Sequence, residues 1–347
     1  MAQIITVAGP LPEEELGVAL CHDHVLSNGL CFYEPPREAS RYALAESPLS
    51  MDILGKVRRD AGLVKDNLVM GNLDEAIAEL MFFKMAGGNS LVDCTTPGIG
   101  RDPVGLRSIS LAAGINIVCS AGWYTAQSHP SYVKRSSVAE LTALLVGELT
   151  TGIGTTGIRA GALKVALSGT ATEPFSGDEE KVLRAAARAQ ARTGAGLNIH
   201  PNFEGKHWHT YLDILEKEGA NLAKCCANHM EVYCPDIEYQ KSVAARGVYI
   251  SYDQFGIEVY ADSIAPGRHY GPDSVRVAGV LDLVRAGYAG RMLLANEVGM
   301  KCCYRKYGGY GYAHLLENIV PELRFKGVTE EQLDAMLVVN PRKFLGL

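Results

Sequence analysis

The sequence predicts an α/β fold, a single (β/α)8 TIM barrel over residues 1–347 with a long insertion after its first strand. Three observations carry this prediction. Eight apolar runs of strand length recur, each followed by a helical pattern. The runs are apolar almost throughout, as strands covered on both faces are. The residues able to carry chemistry stand at the ends of these runs, where such barrels keep their sites. A doubly wound sheet would more often place a Gly-rich phosphate turn after its first strand, and none follows here. No linker or low-complexity stretch divides the chain.

The first run, residues 17–24, ends in Cys21-His22-Asp23-His24. Side chains alternate along a strand, so His22 and His24 face the same way, roughly 7 Å apart at their base. Residues 25–72 are rich in Pro, Ser and charge and contain Pro35-Pro36, which predicts an insertion with short helices of its own, one of them over 51–61. The next helix has Asn72 as its cap, Asp74 and Glu75 in its first turn and Gly87-Gly88 as its stop. Further strands are predicted at 90–95, 115–122 and 160–167. An Ala/Arg-rich helix from about 178 to 193 leads into the strand at 196–200. The last three strands fall at 223–229, 247–253 and 292–297.

Composition excludes several classes. Hydrophobic residues make up 47% and charged residues 21%, ordinary values for a globular chain. The net charge of -6 and the lack of a Lys/Arg-rich run argue against a nucleic-acid partner. No apolar segment reaches the ~18 residues of a membrane helix. The first ten residues lack the basic and apolar regions of a signal peptide. Nine cysteines without a C-x-x-C pair read as buried free thiols in a reducing compartment, so the expected location is the cytoplasm.

The predicted strand ends carry His22, His24, Lys164, His200, His229, Asp253 and Glu297, and thus four of the nine histidines. His129, His207, His209, His269 and His314 fall in loops or helices and read as solvent or supporting residues. Each strand-end residue alone has an ordinary explanation, such as a core histidine bonded to backbone. Lys164 shares an inward strand face with Ala162 and Ala166, and an unpaired buried ammonium is costly. It could be a Schiff-base amine, an ion-pair partner or, after carbamylation, a carboxylate-like ligand. Glu297 could be a ligand or an ion-pair acceptor. Together, four imidazoles, one lysine and one carboxylate form the ligand set of a two-metal site. Nitrogen and oxygen donors without sulfur suit zinc, with manganese, cobalt or iron as substitutes.

This order of residues resembles the amidohydrolase superfamily, and within it the phosphotriesterase-related (phosphotriesterase-like lactonase) family. The resemblance runs over nearly the whole chain. It includes residues 21–24, Val92-Asp93-Cys94-Thr95-Thr96-Pro97-Gly98-Ile99-Gly100-Arg101-Asp102, Gly122-Trp123-Tyr124 and Gly161-Ala162-Leu163-Lys164. Asn198-Ile199-His200, Asn228-His229-Met230, Tyr307-Gly308-Gly309-Tyr310-Gly311-Tyr312 and Asn340-Pro341-Arg342 continue it. It implies one metal on His22, His24 and Glu297 and a second on His200 and His229. A carboxylated Lys164 and a hydroxide would bridge them, with Glu297 as the proton acceptor. Two positions depart from the family pattern: Glu297 stands where an Asp is usual, and Glu231 where an Asp is frequent.

The expected activity is hydrolysis of lactones or other carboxylic esters, with phosphotriesters as a side activity. Amide hydrolysis of N-acyl compounds on the same site is its nearest competitor. A metal-free Lys164 Schiff-base lyase and a ligand-binding barrel with a metal site impaired by Glu297 represent other classes. Expected substrate contacts are Tyr124, Arg101, Asp253, Tyr270, Tyr304, Arg305 and Tyr310, with Arg305 and Lys306 receiving any anionic group. The tyrosines could equally pack over the barrel top. The partner is a small molecule, with no nucleic acid and no membrane, and homologous barrels make a homodimer the expected assembly.

Overall fold

A computed structural model describes residues 2–264 and 267–347. Eight strands form one parallel sheet in sequence order: β1 (Ala19–Asp23), β2 (Ser90–Asp93), β3 (Asn116–Trp123), β4 (Ala162–Ala166), β5 (Gly196–His200), β6 (Cys225–Ala227), β7 (Tyr249–Tyr252) and β8 (Met292–Leu294). Just past their ends, β1 and β8 are joined by His24 N to Val298 O and Glu297 N to His22 O, both 3.2 Å. The sheet therefore nearly closes into the predicted barrel. Around it lie α1 (Leu73–Met85), α2 (Pro103–Ala113), α3 (Val138–Thr150), α4 (Glu179–Thr193), α5 (Trp208–Lys217), α6 (Ile237–Ala244) and α7 (Asp273–Arg285). Short helical segments follow β8.

The predicted signals act as expected. Asn72 accepts a hydrogen bond from Glu75 N at the start of α1, and the chain leaves that helix through Gly87 at φ 96°. The lumen is filled largely by small side chains, Ala19, Cys21, Cys94, Ala162 and Cys226, with Leu293 and Tyr249 beside them. All nine cysteines are free thiols, and those in the lumen behave as small hydrophobes. Among the described residues no helix is long and apolar enough to cross a membrane.

Two features were not anticipated. A hairpin of Gln3–Thr6 with Gly9–Pro12 inserts Ile4 into the lumen, and the segment Asn340–Leu345 adds Phe344. These two pieces are tied together by Gln3 and Leu347, which exchange backbone hydrogen bonds. The insertion returns to the barrel by pairing Ser27–Asn28 with Val69–Met70. Its helix, predicted over 51–61, forms as a 3-10 turn, Met51–Ile53, and a helix, Leu54–Arg59.

The later strands stop short of their predicted ends. His229 lies beyond β6 and Glu297 beyond β8, at φ 57° and 46°. They are the two non-glycine residues with positive φ among those described. Left-handed backbone cannot continue a ladder, and at these two positions it turns the side chain out of strand alternation.

Gly122 on β3 pairs with Lys164 on β4. A Cβ at Gly122 would lie 1.8 Å from the Lys164 carbonyl oxygen, at φ 143°. Gly122→Ala should destabilise the protein by about 3 kcal/mol, read as a lowered urea midpoint; an unchanged midpoint would show that the two strands can part here.

Candidate metal centre

Lys164, within β4, and His200, at the end of β5, are held by strand geometry, whereas His24, His229, Asp253 and Glu297 stand just past their strands. His22 and His24 point into the same space with ring centres 6.1 Å apart, as strand alternation predicts. The rings of His22 and His229 are 4.7 Å apart, and those of His200 and His229 4.5 Å. The structure thus brings together all six residues predicted as ligands.

Hydrogen bonds fix how the rings are turned. Asp253, fully buried, takes Nδ1 of His22 on Oδ2 at 2.8 Å and Nδ1 of His229 on Oδ1 at 2.6 Å. Asn228 Nδ2 donates to the same carboxylate at 3.0 Å and to Asn198 Oδ1 at 3.1 Å. An ionised carboxylate only accepts, so both imidazoles carry a proton on Nδ1 and turn Nε2 towards the centre. Nδ1 of His24 is held by Thr95 Oγ1 at 2.9 Å. The inward Nε2 of His22 lies 2.7 Å from Lys164 Nζ, and that of His229 lies 2.8 Å from His200 Nδ1. Glu297 Oε1 is 3.2 Å from His229 Nε2 and 3.8 Å from His22 Nε2, while Oε2 accepts from Gln254 Nε2 at 3.0 Å.

Electrostatics match this arrangement. Burial, reinforced by the Lys164 charge, pushes His22 down to about 4, and burial with His22 beside it pushes His24 to about 3. Burial also lowers His229, but Asp253 and Glu297 outweigh it and raise that ring to about 9. The difference between two rings on one carboxylate follows from their other neighbours, a lysine for His22 and Glu297 for His229. Glu297 would be raised by burial, yet His229 and His22 bring it down to about 2. Before any metal binds, the charges of Asp253 and Glu297 are met by His229 and Lys164, while His22 and His24 are neutral. Glu231 accepts from the backbone N–H groups of Asp253 and Gln254, at 3.1 and 2.7 Å, and burial pushes its carboxyl up to about 8.

Ligating atoms of His22, His24 and Glu297 lie within 4.8 Å of one another, as do those of His200, His229 and Glu297. His22, His229 and Asp253 form a third such group, but Asp253 is already committed to the Nδ1 sides. Lys164 is fully buried and has no carboxylate within ion-pair distance among the described residues.

Above this centre opens a cavity of about 330 Å³, lined by His24, His200 and Glu297 and by Phe32, Ile99, Tyr124, Phe203, Ile257, Arg268, Tyr270 and Met300. Tyr124 and Tyr270 are placed where the sequence put them. The other expected contacts are corrected. Arg101 is buried in a two-pronged ion pair with Glu148 of α3, at 2.6 and 2.7 Å, and donates to Ser120 O, so it braces the barrel wall. Asp253 lies behind two imidazoles, out of a substrate's reach. Arg305 stacks 4.3 Å from the Phe82 ring and pairs with Glu317. Lys306 is bound to Glu75 on α1. Tyr304 is buried with its hydroxyl on Val25 O, and Tyr310 stacks on His314, so both pack. Thr95, Phe203, Gln254 and Arg268 were missed; Gln254 follows Asp253 directly and Thr95 closes the run at 90–95, but Phe203 and Arg268 carry no periodic signal.

Comparison with known proteins agrees over the whole chain. Residues 2–345 match the phosphotriesterase family. The phosphotriesterase-related protein of Nematostella vectensis is 34% identical over 349 residues, spanning 99% of this chain and 98% of its own. The N-acetyltaurine hydrolase of Homo sapiens is 34% identical over 345 residues, 99% of this chain and 97% of its own. The crystal structure of a resiniferatoxin-binding protein from Rhodobacter sphaeroides superposes with a TM-score of 0.94 at 37% identity, covering 99% of this chain and 94% of that one. A structure from the engineering of organophosphate hydrolysis on a weak promiscuous lactonase gives 0.77 at 25% identity, covering 99% and 100%.

Asp253→Asn removes the charge that holds two rings in one tautomer. Divalent-metal affinity, read by competition with a chromogenic chelator, should fall roughly 10–100-fold; unchanged affinity would show that the rings are oriented without it. In chelator-treated protein, His24 stays neutral down to about 3 when folded but takes a proton below its ordinary 6.5 when unfolded. The unfolded chain then binds more protons, and stability contributed by this group drops as pH falls from 6.5 towards 3. The loss of Tm over that window should therefore be smaller in His24→Gln than in the parent; identical slopes would rule the linkage out.

Proposed function

The chain belongs to the phosphotriesterase family of hydrolases, and from that premise we propose that it is a binuclear metal-dependent hydrolase of carboxylic acyl bonds in small molecules. The observation that carries this reading is the convergence of four imidazoles and the shared Glu297 oxygen on the floor of one largely apolar cavity. N-acyl amino compounds lead as substrates, because relatives matching the full length are named N-acetyltaurine hydrolase. Lactones and other esters, which the sequence put first, form the second reading, favoured by the likeness to an engineered lactonase, with phosphotriesters as a side activity.

The donor set fits divalent metal. His22, His24 and Glu297 would hold one ion, and His200, His229 and Glu297 a second. Zinc suits these donors best, with manganese, cobalt or iron as alternatives. Bound there, such ions supply an activated water and polarisation of the acyl oxygen. Carboxylation of Lys164 would add carbon dioxide to its side-chain nitrogen, the ammonium losing two protons in all, and would leave an anionic ligand among the imidazoles. Glu297, ionised and steadied by Gln254, accepts the proton of the attacking water and returns it to the leaving nitrogen or oxygen. Tyr124 and Phe203 set their rings against His200, 5.1 and 4.6 Å between centres, and keep bulk water off the acyl group.

Protein purified without chelator and with bicarbonate should contain about two divalent ions per chain. Its turnover of N-acyl amino acids and lactones should be lost to chelator and restored by zinc or manganese. Lys164→Ala and His200→Ala should each lower metal content and reduce kcat/KM by roughly 100-fold or more. Metal-free protein that cannot be loaded would sink the hydrolase; borohydride trapping at Lys164 would then favour the Schiff-base alternative.

A further inference from the structure

Arg268 lines the cavity from the loop after β7, and it lacks the carboxylate partner that the two deeply buried arginines Arg101 and Arg276 have. Arg101 is neutralised by Glu148 and Arg276 by Asp273. Arg268 has no carboxylate within ion-pair distance among the described residues, and its Nε is buried without a hydrogen-bond partner. Instead its guanidinium carbon lies 3.3 Å from the centre of the Phe203 ring and 5.1 Å from that of Tyr270. Stacking on an aromatic face leaves the edge of the guanidinium fork free to donate. Phe203 is the same ring that touches His200 and lies 5.4 Å from His229. One aromatic ring therefore separates a guanidinium without a carboxylate partner from the imidazole cluster, within a single cavity.

The loop is also built to hold that residue still. Ala261 N donates to Arg268 O at 3.1 Å and Tyr270 N to Val259 O at 2.9 Å, which pairs the backbone on either side of Arg268 with 259–261. The insertion after β1 fastens it from outside. Tyr260 N donates to Arg58 O, Ala61 N to Tyr260 O, and Asp60 accepts from both N and Oγ of Ser263. A cation fixed in an apolar wall with an unmet donor is matched by an anion brought in by the ligand.

We infer that Arg268 is the specificity residue of the site and receives a carboxylate or sulfonate at the end of the substrate remote from the acyl group. This deepens the acyl-hydrolase reading and rests on it for the placement of the acyl group. The anion sits a short spacer away from the scissile bond, on the leaving-group side. Neutral acyl compounds of the same length lose this contact.

The test uses ligands that cannot be hydrolysed. The full-length, metal-loaded protein is titrated by calorimetry with 5-oxohexanoate, in which a methylene replaces the amide nitrogen of N-acetyl-β-alanine, and with its neutral amide, 5-oxohexanamide. A hydrogen-bonded charge pair predicts roughly 10–100-fold tighter binding of the acid. In Arg268→Gln the ratio should fall to near one, and in Arg268→Lys, which keeps charge and bulk but not the fork, part of it should remain. The sulfonate counterpart should follow the same order. Near-equal binding of acid and amide by the parent, a preference that persists in Arg268→Gln, or no binding of either ligand would overturn the inference. Turnover of N-acetyl-β-alanine is measured separately. Its absence, alongside an Arg268-dependent preference, would remove the hydrolase reading and leave the anion site standing.

Discussion

The structure depends on one buried carboxylate. Asp253 accepts from His22, at the end of the first strand, and from His229, past the sixth, so a single side chain ties opposite parts of the barrel mouth together. Burying a charge is tolerable only when its acceptor sites are used, and here two imidazoles, the Asn228 amide and the His229 backbone N–H use them. The consequence reaches the chemistry directly. Because Asp253 occupies both Nδ1 atoms, both Nε2 atoms are left facing inward, towards Lys164, His200 and Glu297. The carboxylate never meets a substrate, yet it decides which atoms of the centre are available to bind one metal or two.

That arrangement carries a backbone cost. His229 and Glu297 adopt left-handed conformations, each disfavoured by roughly 1–3 kcal/mol for a residue with a side chain. Both are held by bonds made to the centre itself: His229 N donates to Asp253, and Glu297 N donates to His22 O. Strain and restraint therefore lie on the same residues. With Glu297 turned this way, one of its oxygens is near both His22 and His229, and the other is occupied by Gln254.

How much of this could be read beforehand depended on range. The eight strands were visible because each is a local run, and His22, His24, Lys164, His200, His229 and Glu297 because strand period and strand end locate a side chain. The exact ends of the sixth and eighth strands were not visible, since left-handed backbone at a histidine or a glutamate has no local signature. Arg101 was misplaced because its partner, Glu148, lies on a helix 47 residues away. Arg305 looked like an anion receiver until Phe82, distant in sequence, and Glu317, past the following loop, claimed it. Asp253 was found in the right place and given the wrong task, for the sequence shows a strand end but not which side of a histidine it meets. Arg268 and Phe203 sit in irregular loops where no period exists to read.

The insertion acquires its meaning from the same consideration. Residues 58–61 bond to the backbone around Tyr260 and to Ser263, so a segment that enters the chain before the second strand positions a loop that follows the seventh. Neither segment supplies a predicted metal ligand. The imidazole centre is fixed by the ends of barrel strands, which cannot move without breaking the sheet, whereas the wall bearing Arg268 is fixed by two excursions gripping each other. Changes in those excursions can alter which molecules fit while leaving the reactive centre intact. In such a division, relatives that share the centre would differ in substrate through residues like Phe203, Tyr270 and Arg268, and the identity of the reaction and the identity of the substrate would be written in separate parts of the chain.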